Sequence, residues 1–195
     1  MQRQQAGYEV HVVFMTDGRE SHRKSFGMVS DPAPEELRVI RRREARRATG
    51  ILGVKPENLI FLYFKDRMLE SNIEAAAEDV KGMLKQIQPM EVYFPSEYDD
   101  HTDHFATNII VRRAIEFLAG KPLIYLYTVW PRRDSSVSSM TCLKVDVSGV
   151  LLTKKKALAE YKSQVTEFSK LQRRPVLTKT FLKRFLRGYE VFITH

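Results

Sequence analysis

Short apolar runs alternate with segments of helical periodicity along most of the chain. Tyr8 to Met15 (YEVHVVFM) is β-branched and aromatic and predicts a strand, with Thr16-Asp17-Gly18 as turn chemistry behind it. Pro34 to Thr49 predicts a helix, with proline early and Leu37, Ile40, Ala45 and Ala48 along one side. Leu59 to Phe64 (LIFLYF) is a continuous apolar run, as expected of a strand buried on both faces. Ser71-Asn-Ile-Glu74 has the form of a capping box, and Ile73 to Ile87 then follows helical spacing. Met90 to Phe94 predicts a strand stopped by Pro95, and Phe105 to Ala119 a helix closed by Gly120 and Pro122. Leu123 to Trp130 predicts another strand. Thr141 to Val147 alternates Leu143, Val145 and Val147 inward, as a strand with one wet face would. A long helix over Lys154 to Lys170, a short one over Thr178 to Leu186 and a final strand-like YEVFI complete the pattern.

Such alternation predicts an α/β fold, Rossmann-like, with a mostly parallel sheet and helices on both faces. No repeat, low-complexity tract or composition break divides the 195 residues, so one domain over 1–195 is expected. In sheets of this class ligands bind beyond the carboxyl ends of the strands. Polar loops leave apolar strands there at Thr16-Asp17-Gly18, at Asp66 and at Ser96 to His104.

Composition narrows the function classes. The chain is 43% hydrophobic and 29% charged, ordinary for a globular protein and unlike a disordered or disulfide-dense one. Cys142 is the sole cysteine, so no intrachain disulfide forms, which fits a reducing, cytoplasmic setting. No apolar run approaches the ~18–20 residues of a membrane span, and no membrane partner is expected. The net charge of +8 has its densest source in Arg38 to Arg47, six arginines in ten residues. A solvated helix face accounts for it. Nucleic-acid binding is the lesser reading, because no aromatic residues interleave with the arginines in sequence.

The informative segment is Ser96-Glu-Tyr-Asp-Asp-His-Thr-Asp-His104, which follows a strand and opens a helix. His101 and His104 are three apart and face one side of a first helical turn. Histidines so spaced can share a metal or flank a substrate, with Asp103 and Asp100 orienting the rings. A plain polar loop is the alternative. A catalytic zinc usually takes three protein ligands, and no second His/Asp/Glu cluster in the chain supplies the rest. His11 reads as a packed or edge histidine, His22 as loop and Asp17 as a turn residue.

Several segments in order resemble the PIG-L / LmbE-like family of zinc-dependent de-N-acetylases. They are YEVHVVFMTDG, Arg43-Glu-Ala with Thr49-Gly-Ile-Leu-Gly-Val54, Phe61-Leu-Tyr-Phe-Lys-Asp66, Val92-Tyr-Phe-Pro…Asp100-His-Thr-Asp-His104, Lys156 to Gln164 with its Ser-Gln end, and Gly188-Tyr-Glu-Val-Phe192. The resemblance implies zinc-dependent hydrolysis of the N-acetyl group of an amino sugar of N-acetylglucosamine type, and allows a homo-oligomer. It implies His104 as zinc ligand, His101 as oxyanion stabiliser or acid, and Asp103 as the residue holding His101. Asp66 and Arg43 fall at positions near substrate, while Ser163 and Gln164 read as structural.

The family's leading strand ends in a His-Pro-Asp-Asp block that this sequence does not contain. Met1 to Gly7 reads instead as the tail of the helix that would follow it, with Gly7 as its cap. The expectation is therefore an N-terminally truncated domain lacking its first strand and most of its first helix, without a complete metal site and inactive as it stands. The competing expectation is a non-catalytic α/β protein that binds a sugar or a partner.

Overall fold

The computed structural model describes residues 1–22, 31–132 and 141–194. It divides into two compact units, Met1–Tyr63 with Asp146–Glu190, and Phe64–Val145 with Val191–His195.

The first unit opens with a one-turn helix, α1 (Gln2–Gln5), followed by β1 (Val12–Thr16). The long helix α2 spans Pro34–Ile51, with Pro34 in its first turn, where a missing N–H costs nothing, and Glu35 and Glu36 beside the positive helix end. β2 (Leu59–Phe64) pairs with β1 in a two-stranded sheet. The run LIFLYF is half-buried rather than buried on both faces, and Tyr63 is exposed. A sheet of two strands leaves β2 an edge, so the expected two-sided burial fails. Phe61 stacks between Phe14 and Tyr63 along this sheet.

α2 buries Leu37, Glu44, Ala45, Ala48 and Thr49, and packs on α5 (Leu151–Ala159) and α6 (Lys162–Val165). The single helix expected over Lys154 to Lys170 is thus two. α5 ends at Ala159, and Tyr161 (ψ 55) turns the chain before α6. The break lets the Ser163 N–H reach Glu44 instead of an intrahelical carbonyl. A short α7 (Lys179–Leu182) follows, its Thr178 hydroxyl accepting from Phe181 N.

Much of the arginine run is engaged locally. Arg38 pairs with Glu35, Arg41 donates to Gly18 O, and Arg46 lies over Phe61. Gly18 itself has φ +68, and a side chain there would run into the Arg41 guanidinium.

The second unit carries a four-stranded sheet in the order β3-β4-β6-β5, from Glu91–Pro95, Leu123–Tyr127, Tyr189–Ile193 and Cys142–Asp146. β3 and β4 are parallel, in register from Glu91–Leu123 to Pro95–Tyr127, and β6 joins β4 antiparallel. β5 is an edge strand, and Leu143, expected to face inward, is exposed.

Helices α3 (Ile73–Ile87) and α4 (Thr102–Glu116) pack on each other, and α4 packs on β3. Their core is Ala76, Val80, Leu84, Ile110, Ala114, Phe94 and Leu126, all buried. Each large apolar side chain there contributes roughly 1.5–3 kcal/mol of transfer free energy.

The expected capping box does not form. A 3₁₀ turn over Leu69–Asn72 makes Asn72 the N-cap, without a side-chain cap bond, and Glu74 pairs with Arg113 of α4. β3 and β4, being parallel and in register, end level with each other. The loops that follow them, 96–101 and 128–132, therefore emerge side by side.

Candidate functional site

The two loops are joined by main-chain bonds. Ser96 N donates to Tyr127 O (2.8 Å), Asp100 N to Trp130 O (2.7 Å) and Arg132 N to Tyr98 O (3.1 Å). Beneath them lies Asp99, with no solvent exposure. One carboxylate oxygen accepts from Val129 N (2.6 Å) and Trp130 N (3.1 Å). The other accepts from His101 N (3.2 Å) and faces His104 Nδ1 at 3.0 Å. Burial would raise the Asp99 pKa, but the His104 ring and these amides outweigh it and hold the carboxyl below its ordinary value.

His101 is the N-cap of α4. Its Nδ1 accepts from Asp103 N (3.2 Å), so a neutral ring carries its proton on Nε2. Burial, and then the neighbouring His104, lower its pKa below the ordinary histidine value, which favours the neutral ring. The two imidazole centroids are 4.7 Å apart. Neither Nε2 makes a hydrogen bond among the described residues. His104 Nδ1 is buried and, though close to Asp99, is off the line of a regular hydrogen bond.

Asp103 holds His101 through its backbone N–H; its carboxylate goes elsewhere. It accepts from Arg67 N (2.7 Å) and Leu69 N (3.3 Å), which ties the turn after β2 to the start of α4. Burial first, and the adjoining Asp66 carboxyl, push Asp103 up to about 6 against the pull of those amides. Asp66 is itself buried and raises the His101 pKa through its charge. Thus His101, Asp103, His104 and Asp66 come together in the second unit. Arg43 belongs to the first unit and is exposed on α2. Asp100, read from sequence as a possible orienting group, is exposed, and its neighbour Asp99 faces the ring instead.

The residues of the first unit that the sequence left as loop or structural form a closed network. His22 is 2% exposed; its Nε2 lies 2.8 Å from Ser163 O and its Nδ1 2.8 Å from Gln172 Nε2. Glu44 accepts from Ser163 N (2.8 Å) and Ser163 Oγ (2.7 Å). Asp17 accepts from Arg19 N and its guanidinium, as a turn residue does. His11 pairs with Glu9 at 3.7 Å.

The zinc that the resemblance implies needs about three gathered protein ligands. Among the described residues no group of three His, Cys, Asp or Glu side chains is gathered to hold a metal ion. His104 offers one open nitrogen, and Asp99 and Asp103 are committed to backbone amides. These residues do not fit a complete metal site.

A parallel strand pair with a polar loop and helix start at its carboxyl end is the architecture of α/β ligand-binding proteins. Solved structures share it. N,N'-diacetylchitobiose deacetylase from Pyrococcus horikoshii aligns with a TM-score of 0.70 at 21% identity, over 97% of this chain and 75% of that one. An antimicrobial pseudoaglycone deacetylase aligns with a TM-score of 0.70 at 18% identity, over 99% and 87%. GalB, a 4-carboxy-2-hydroxymuconate hydratase from Pseudomonas putida, aligns with 0.62 at 19% identity, over 84% and 70%. The search of curated proteins found no match. The family model PIG-L, described as GlcNAc-PI de-N-acetylase, matches residues 1–115, more than half of the chain. The chain belongs to that family.

Proposed function

We propose that the protein acts on the N-acetyl group of an amino sugar, of N-acetylglucosamine type, as a de-N-acetylase. Family membership and the deacetylases among the structural neighbours support the reaction class. The observation that carries the reading to named residues is the His101–His104 pair at the carboxyl end of β3, with both Nδ1 atoms facing inward. In this reading His101 donates from Nε2 to the acetamide oxygen as negative charge develops there, or passes that proton to the departing amine. His104 presents a bare Nε2, and by resemblance is the zinc ligand of the chain. Asp66, in the same unit as the two histidines, is assigned to substrate. No step is routed through the metal, because the described residues do not assemble its site.

That same observation favours a second reading, in which the chain binds an N-acetylated sugar without hydrolysing it. Acetate release from an N-acetylglucosamine conjugate, followed with and without added zinc and compared with calorimetric binding, separates the two. Chelator-sensitive release lost in His101→Ala supports the enzyme. Binding without release supports the second reading. Neither binding nor release would reject both.

A further inference from the structure

We propose that Asp99 is a positioning residue that fixes the tautomer of His104, keeping the proton on Nδ1 and leaving Nε2 as a bare acceptor. The carboxylate cannot turn away, because it is fully buried and its two oxygens are held by three backbone amides, those of His101, Val129 and Trp130. The oxygen that remains toward His104 lies 3.0 Å from Nδ1. Although the contact is off the line of a regular hydrogen bond, the carboxylate charge so close to that nitrogen repels a lone pair there and attracts an N–H. The neighbouring ring is fixed the other way round. His101 Nδ1 accepts from a backbone N–H, which puts its proton on Nε2. Two rings 4.7 Å apart therefore hold opposite tautomers and offer a donor and an acceptor side by side. The same carboxylate spans both loops, so it couples the ring of His104 to the backbone at Val129 and Trp130.

Its use in turnover rests on the de-N-acetylase reading, but the tautomer does not. The test is nitrogen NMR of the imidazoles in the full chain at about pH 8.5, two units above the ordinary histidine value. His104 is assigned by its loss in His104→Gln. In the unaltered protein the expected result is a protonated Nδ1 and bare Nε2 for His104, with the reverse for His101. In Asp99→Asn the side-chain oxygen stays with the two amides of Val129 and Trp130, and the new NH₂ faces His104 while His101 N–H loses its acceptor. The dominant form of His104 is then expected to switch to Nε2–H. Acetate release, where it occurs, falls by about tenfold or more, as when a carboxylate behind a functional histidine is lost. A proton on Nε2 of His104 in the unaltered protein overturns the proposal, and so does an unchanged tautomer in a folded Asp99→Asn. If that variant does not fold, the unaltered protein decides alone. Expected tautomers with no acetate release would leave Asp99 as assigned and remove the catalytic reading.

Discussion

Two groups of histidines, one in each unit, are built on opposite plans. In the first unit His22 is buried, with both ring nitrogens engaged, one by Ser163 O and the other by the Gln172 side-chain amide. Around it Glu44, Ser163 and Gln172 find partners for their polar atoms within the fold. In the second unit His101 and His104 are only half-buried; His101 Nδ1 accepts one hydrogen bond, and His104 Nδ1 lies against Asp99 without a regular one. A polar group kept for stability needs all its hydrogen bonds made, since a buried unmade bond costs about 1–3 kcal/mol. A polar group kept for chemistry must leave one edge open to a ligand. Completeness of hydrogen bonding, more than residue type or burial alone, separates the two clusters.

The contrast has consequences that differ in kind and size. On the proposed de-N-acetylase reading the largest is expected from His101→Ala, which should lower acetate release by roughly 10²–10⁴-fold. Its stability, read from the urea midpoint, should change by no more than a lost helix cap, about 1 kcal/mol. A loss of activity matched by a collapse in stability would erase the contrast. Glu44→Ala comes next and acts the other way. It strips the acceptor from Ser163 N and Oγ, and hydrogen bonds to a charged group contribute about 1.5–3 kcal/mol each. A destabilisation on the order of 3 kcal/mol is expected in urea unfolding, and a change under about 1 would mean that the network is not structural.

Gln172→Ala is a milder cut into the same network. It removes the partner of His22 Nδ1 and the acceptor of Phe168 N, and should cost about 1–2 kcal/mol. The remaining effect is a pH slope. Asp103, raised to about 6 in the fold from an ordinary 3.8, binds its proton more tightly folded than unfolded. Its contribution to stability is therefore fully present below about pH 4 and is lost as pH rises through about 6. Asp103→Asn should flatten the stability profile across that window. A slope unchanged in the variant would place its origin elsewhere.

The alternation of strands and helices was legible because each element carries its own periodicity. Leu59–Phe64 and the α3 segment from Ile73 to Ile87 are found as the pattern predicts. What failed depended on distant partners. Nothing local shows that the helix after Val150 breaks at Glu160, since the gain comes from Glu44, 119 residues from Ser163. The same holds for His22, whose partners lie 141 and 150 residues away. The Ser71–Glu74 box was locally sound but lost to an ion pair between Glu74 and Arg113. At the site, the spacing of His101 and His104 was readable. The choice of Asp99 over Asp100 as the buried carboxylate was not, because it depends on which of two adjacent residues the turn points inward. The arginine run resolved into local contacts that its sequence alone could not assign, such as Arg46 over Phe61.

The most direct measurement is a titration of the full chain with N-acetylglucosamine, followed through the imidazole nitrogen and proton resonances. Resonances of His101 and His104 should move with sugar concentration while those of His22 stay fixed. Movement of His22 with the other two still, or no movement in any of them, would contradict the assignment of an open site to the loop at the end of β3.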